Sequence, residues 1–215
     1  MKKTVLGAIV GLFMMSGAAS AATLGPVSCT TVGFSATELA GALVCPQFNV
    51  SGAVLTGMTL NFKGEIDGTV GLTNNTQQVQ SGTAETNSRF YFGPLTGFAL
   101  PAPMFTVIAA TGPVTLNPGQ TATMPVSGSL TATYSNTADF LPYIGSGTFD
   151  INVGTQTFLL LSFGGGNVGT TQATQARASA EVIYEYRELS TVPEPTTLAL
   201  LGTGLLGATI RRRRK

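Results

Sequence analysis

Apolar and polar residues alternate along much of the chain between positions 50 and 187. In the stretch MTLNFKGEIDGTVGLT the apolar residues occupy even positions, namely Met58, Leu60, Phe62, Ile66, Val70 and Leu72. A period of two is typical of an antiparallel strand with one buried face. A two-residue hairpin at Asp67-Gly68 would reverse this phase, and the phase continues unchanged. The pattern therefore predicts one long bent strand or a three-residue turn near Gly64.

The same alternation returns in TATMPVSGSLTATYS, where Pro125 predicts an edge strand or a bulge. Further strands are predicted over 103–110, 147–153, 157–163 and 176–188, with Gly, Pro and Asn clusters between them. Only FSATELAGALV, residues 34–44, has a pattern that predicts a helical turn or two. Many short alternating strands separated by turn formers predict an all-β fold, an antiparallel β-sandwich.

The first residues have the layout of a secretory signal peptide. MKK is a positive start, TVLGAIVGLFMM is a short apolar stretch, and Ala19-Ser20-Ala21 fits the small-x-small cleavage rule. We therefore predict a signal peptide over 1–21, cut by signal peptidase after passage through the secretion machinery, with an uncleaved anchor as the alternative. The exported domain is predicted to span 22–190.

Export changes the interpretation of the two cysteines, because disulfides persist in oxidising compartments. Cys29 and Cys45 are predicted to form a disulfide that closes a loop of about 16 residues. Two free buried thiols are the alternative.

Charge and chemistry narrow the functional classes. Between residues 22 and 192 there are four cations and nine acids, a net charge of −5, which argues against nucleic-acid binding. The chain has no histidine, which excludes a Ser-His-Asp or Cys-His centre and a histidine-ligated metal. Glu65 and Asp67 could offer oxygen ligands to Ca²⁺, but two solvated charges on an exposed strand face are the favoured interpretation. We therefore predict no catalytic residues, no metal and no cofactor.

The last 24 residues, VPEPTTLALLGTGLLGATIRRRRK, differ in character from the rest of the chain. Residues 196–210 carry no charge and would form about 22 Å of helix, short for a bilayer of about 30 Å. The cations Arg211, Arg212, Arg213, Arg214 and Lys215 would stop transfer and stay cytoplasmic. Pro193, Glu194 and Pro195 form an extended segment, free of backbone pairing, that a protease could grip.

In the order of these features the tail resembles a PEP-CTERM sorting signal, and we predict that this signal spans 191–215 with a transmembrane helix over 196–210. The resemblance implies recognition in the inner membrane of a Gram-negative bacterium by exosortase, a transpeptidase-like enzyme, with cleavage in or near Pro193-Glu194-Pro195. The C-terminal helix would then be a transient membrane handle, as in a GPI signal, and the processed protein would reach the cell surface or the extracellular matrix. A permanent inner-membrane anchor carrying a periplasmic β domain is the alternative.

The central region resembles the choice-of-anchor E domains found with such signals. The resemblance is carried by residues 48–75, 126–135, 140–153 and 180–186. Those domains have no assigned activity, so the resemblance implies a fold and a sorting route rather than a reaction.

Together these features predict a non-enzymatic structural or adhesive protein of an exopolysaccharide matrix or biofilm, with exopolysaccharide as a partner. A carbohydrate-binding module is the alternative, and it requires an exposed row of aromatic rings. The candidates for that row are Phe90, Tyr91, Phe92, Tyr143, Tyr184 and Tyr186. A secreted hydrolase would instead require a pair of carboxylates in a cleft.

Overall fold

The computed structural model describes residues 21–164 and 166–189. The chain divides into two units, Ala21–Arg187 and a second unit made of Met1–Ser20 and Glu188–Lys215. The predicted signal peptide and the predicted helix over 196–210 lie outside the described residues, apart from Ala21. In the described part of the chain, no helix is both long enough and apolar enough to cross a bilayer.

The described residues form ten strands and one short 3₁₀-helix. The strands are β1 (Ala21–Ser28), β2 (Val32–Ala36), β3 (Ala40–Pro46), β4 (Ala53–Asn74), β5 (Gln80–Phe92), β6 (Phe105–Ala110), β7 (Val114–Leu116), β8 (Thr121–Asn136), β9 (Thr148–Phe163) and β10 (Val168–Glu188). The 3₁₀-helix spans Leu141–Tyr143.

The strands form two five-stranded sheets, which confirms the predicted all-β antiparallel fold. Sheet A has the order β1-β10-β4-β8, and β2 pairs with β10 beyond the end of β1. Sheet B has the order β3-β9-β5-β6, and β7 pairs with β5 beyond the end of β6. The β4–β8 pair keeps one register from Met58↔Asn136 to Thr73↔Thr121, so the alternating faces of both strands stay aligned throughout.

The two sheets pack face to face over one apolar core. The even positions of β4 point into it, and Leu60, Phe62, Val70 and Leu72 are fully buried. Phe62 of sheet A contacts Phe92 of sheet B with ring centroids 4.4 Å apart. This alternation of buried and solvated positions is what the sequence pattern of a sandwich requires.

Several strand predictions are confirmed. The stretch from Met58 to Thr73 is one uninterrupted strand, the first of the two alternatives. Pro125 lies in β8, which is the edge strand of sheet A, and no bulge interrupts its pairing with β4. An edge strand tolerates proline because the missing N–H faces away from the ladder.

Two predictions of local structure are wrong. Residues 34–44 contain the end of β2 and most of β3 rather than helical turns. Leu39 and Leu43, four positions apart, resemble a helical face, but residues four apart also share one face of an extended chain, and both are buried here. Residues 147–153 and 157–163 are not separate strands, since β9 runs through both without a turn.

Candidate functional site

The residues predicted to carry sorting and processing lie almost entirely beyond the described part. Ala19, the motif Pro193, Glu194 and Pro195, and the basic run Arg211–Lys215 all fall on residues that the structure does not describe. Ala21 is the first described residue and begins β1. The structure therefore bears on the exported domain and on how its two ends are arranged.

The two ends of the sandwich lie side by side. β1 and β10 pair antiparallel, and Ala21 is the Cα partner of Arg187. Ala21 is the last residue of the predicted signal peptide, and the predicted sorting segment begins at position 191, four positions after Arg187. Both targeting segments are therefore attached at the same end of the same pair of strands.

A disulfide between Cys29 and Cys45 joins the two sheets. Cys29 follows β1 of sheet A, Cys45 lies in β3 of sheet B, and the sulfur atoms are 2.00 Å apart. Beside the bond, the backbone N–H of Thr30 donates to the carbonyl of Val44 at 2.9 Å. The bond thus holds together the sandwich edge formed by β1 and β3.

The outer face of sheet A carries one charged group of side chains. Arg177 of β10 donates to the Glu65 carboxylate from Nε at 2.8 Å, and Lys63 Nζ lies 3.1 Å from the same carboxylate. The Arg177 guanidinium also stacks over the ring of Phe34, 4.7 Å from its centroid. Burial disfavours the charged form of Glu65, but hydrogen bonds and charge from Arg177 and Lys63 outweigh it and lower the pKa of the carboxyl.

The acids on the outer face of sheet A are not grouped as a metal site in the described part of the chain. Glu65 is held by two cations, and Asp67 is exposed on the same strand. Glu181 and Glu185 are exposed on β10. Across residues 21–164 and 166–189, no three His, Cys, Asp or Glu side chains are grouped so that they could hold a metal ion.

The depressions in the surface are open and shallow. An apolar one of about 260 Å³ lies at one end of the sandwich, lined by Phe48, Asn49, Val50, Ala53, Val54, Leu55, Ile144 and Gly145. A polar one of about 450 Å³ lies beside Asp67 and Gly68 on sheet A. Neither has the convergent polar groups inside an enclosing apolar wall that small-molecule sites usually show.

The aromatic residues proposed for a carbohydrate-binding row do not form one. Phe90, Phe92, Tyr143 and Tyr184 are buried in the core, while Tyr91 and Tyr186 are half-buried. Burial raises the pKa of the Tyr143 and Tyr184 hydroxyls, and the Tyr184 hydroxyl donates to the carbonyl of Pro46. These rings stabilise the sandwich rather than present a stacking platform.

The structure reveals surface groups that sequence reasoning missed. Phe158 lies on the outer face of sheet B beneath the guanidinium of Arg89, 4.8 Å from the ring centroid. Between Phe158 and Ile108 lies Asn87, a polar residue that is only 4% exposed. The run TNSRF gave no apolar alternation that could have marked this face in advance.

Comparison with known protein families supplies the functional assignment of the tail. The family model described as the PEP-CTERM protein-sorting motif matches residues 191–215. The chain carries a PEP-CTERM motif. A PEP-CTERM motif marks an exported protein for exosortase-mediated sorting to the surface of a Gram-negative bacterium, and β10 ends at Glu188, just before it.

Other comparisons add no function to the PEP-CTERM assignment. No curated protein matches the chain. The structure of infectious bursal disease virus Gx strain aligns at 10% identity and a TM-score of 0.16, over 85% of this chain and 48% of that chain. The Gt strain structure aligns at 9% identity and a TM-score of 0.16, over 83% of this chain and 43% of that chain. The chain thus spans less than half of either viral chain, and likeness at this level carries no argument. The choice-of-anchor E resemblance stays a prediction.

Proposed function

We propose that this protein is exported, cleaved by exosortase at its PEP-CTERM motif, and deposited at the cell surface or in the extracellular matrix. There it has a non-enzymatic structural or adhesive role associated with exopolysaccharide or biofilm. The observation that carries the proposal is the motif at residues 191–215, which begins three positions after the last strand of the sandwich.

The arrangement of the domain supports this role. The sandwich is closed at one edge by a disulfide, which suits a protein that works outside the cell. Sheet A presents long rows of Ser, Thr and Asn side chains on β4 and β8, and some of them hydrogen-bond across the strands, such as Thr59 with Ser135 at 2.8 Å. A face of hydroxyl and amide groups can make many weak contacts with a hydrated polysaccharide without enclosing any one sugar.

The sorting step is tested by the intact mass of the protein recovered from the native host. Inner membrane, outer membrane and medium are analysed separately for the wild type and for a variant with Glu194→Ala and Pro195→Ala. We expect wild-type protein outside the inner membrane to lack residues 1–21 and everything beyond about position 195. The variant should retain its tail in the inner membrane, because exosortase no longer recognises it.

A matched control is Glu188→Ala, which removes a glutamate as Glu194→Ala does, but at the end of β10 and outside the motif. This variant should be processed like the wild type. Wild-type protein that keeps Arg211–Lys215 in the inner membrane would make the tail a permanent anchor and overturn the proposal.

The matrix role needs its own measurement. A strain that lacks the protein should form less cohesive biofilm or floc, and the wild-type gene should restore cohesion while the Glu194→Ala, Pro195→Ala variant should not. Normal cohesion without the protein would overturn the structural role and leave the sorting step intact.

A further inference from the structure

The outer face of sheet B carries an apolar surface around the middle of β5. We call this surface the sheet B patch; it comprises Glu85, Asn87, Arg89, Ile108, Phe158 and Leu160. Asn87 is the Cα partner of both Ile108 and Phe158, and Glu85 is the Cα partner of Leu160, so the six side chains are neighbours on one face. Ile108 is 57% exposed and Leu160 is 50% exposed. Large exposed aliphatic side chains grouped on one face are a feature of interaction surfaces.

The charged groups of the patch lack oppositely charged partners within the described chain. The Nδ2 atom of Asn87 is buried and makes no hydrogen bond. The two ion pairs of the described chain both involve Glu65, so neither Glu85 nor Arg89 has an oppositely charged partner within 4.0 Å there. Arg89 is exposed and Glu85 is half-buried, so both charges can meet a docked surface of complementary charge.

The order of these groups along β5 fits them to a second copy of the chain. Glu85 and Arg89 lie two positions on either side of Asn87, so each is about 7 Å from it along the strand. A two-fold axis that lies in the interface, perpendicular to β5 at Asn87, places Arg89 of one copy opposite Glu85 of the other. An axis parallel to β5 would instead place like charges opposite each other. Charge complementarity therefore selects a single antiparallel arrangement.

We propose that the sheet B patch is the interface of a symmetric homodimer, in which two sandwiches pack sheet B to sheet B with their β5 strands antiparallel. Ile108 then contacts its own counterpart, as an isologous interface requires. The inference does not rest on the proposed function, because it concerns only the folded domain.

The test is sedimentation equilibrium of the full-length chain in density-matched detergent, across a concentration series. The wild type should approach twice the monomer mass of 22.1 kDa. Arg89→Glu and Glu85→Arg each place two pairs of like charges across the interface, and each should raise the dimer dissociation constant about tenfold or more. The double variant Glu85→Arg, Arg89→Glu restores opposite charges with the positions exchanged, and its dissociation constant should return to within a few fold of the wild-type value.

Two controls separate the patch from other causes of association. Leu141 is 87% exposed in the 3₁₀-helix outside both sheets, and Leu141→Ser should leave the dissociation constant unchanged. Far-UV circular dichroism checks that each charge variant keeps its β structure. A monomeric wild type would overturn the proposal, and so would a double variant that associates no better than the singles. A Leu141→Ser effect as large as that of Arg89→Glu would do the same.

Discussion

Reduction of the disulfide between Cys29 and Cys45 should remove a defined part of the stability of the sandwich. The two residues are 16 positions apart, and closing a loop of that size in the unfolded chain corresponds to about 3 kcal/mol of unfolding free energy. With a urea m-value of about 2 kcal/mol per molar for a domain of this size, the unfolding midpoint should fall by about 1.5 M. Reduction leaves both sulfur atoms in place, so the change reports the constraint rather than lost packing.

The assay is urea unfolding of the full-length chain in mild detergent, with and without a phosphine reductant. Tyrosine fluorescence can follow it because the chain has five tyrosines and no tryptophan. The matched control is Cys29→Ala with Cys45→Ala, whose midpoint should not respond to reductant and should lie at or below that of the reduced wild type, because two buried sulfur atoms are also lost. A shift below about 0.5 M on reducing the wild type would refute the loop-closure reasoning.

Three further variants test separate parts of the structure by the same titration. Gly64→Val should destabilise by about 1–3 kcal/mol, because even a Cβ there would lie 2.7 Å from the Phe105 ring. Tyr184→Phe should lose about 1–2 kcal/mol with its buried hydrogen bond to the carbonyl at the end of β3. Despite burial, Arg177 and Lys63 lower the pKa of the Glu65 carboxyl below its ordinary 4.5. The ionised carboxylate therefore stabilises the fold fully above pH 4.5, and this stabilisation is lost as the pH falls through the lowered pKa. Glu65→Gln should remove this acid-sensitive part of the unfolding free energy, about 0.5–1 kcal/mol.

Strands with a strict period of two could be predicted from the sequence. β4 buries its even positions from Met58 to Leu72 apart from Gly68, and the even positions of β8 are buried or half-buried apart from Leu130. Pro125 indicated an edge strand because a central strand cannot spare the N–H that proline lacks. For such strands the apolar positions in the sequence directly indicate which side chains face the core.

β5 could not be predicted because its burial does not follow hydrophobicity. Thr86, Asn87 and Ser88 are three consecutive polar residues, and all three are buried. Thr86 and Ser88 face the interior, and Ser88 has a partner there in the hydroxyl of Thr157 at 2.9 Å. The burial of these polar side chains depends on cross-strand partners about 70 positions away in the sequence. The local sequence pattern around β5 carries no information about such partners.

The candidate functional residues differ in the same way: the tail could be recognised from the sequence, and the sheet B patch could not. The tail was readable because a sorting enzyme and a membrane recognise it as an ordered linear sequence, and the family match covers that segment. The sheet B patch combines β5, β6 and β9, whose residues become neighbours only through strand order. No linear motif marks a surface of this kind.

The strand order also links folding to the sorting tail. β10 lies between β1 and β4 in sheet A, yet it is the last strand of the described residues and ends three residues before the PEP-CTERM motif. Sheet A therefore cannot be completed until almost the whole exported domain has crossed the membrane, because β1 has no strand partner other than β10 in the described chain. Long-range pairing of this kind makes folding slow.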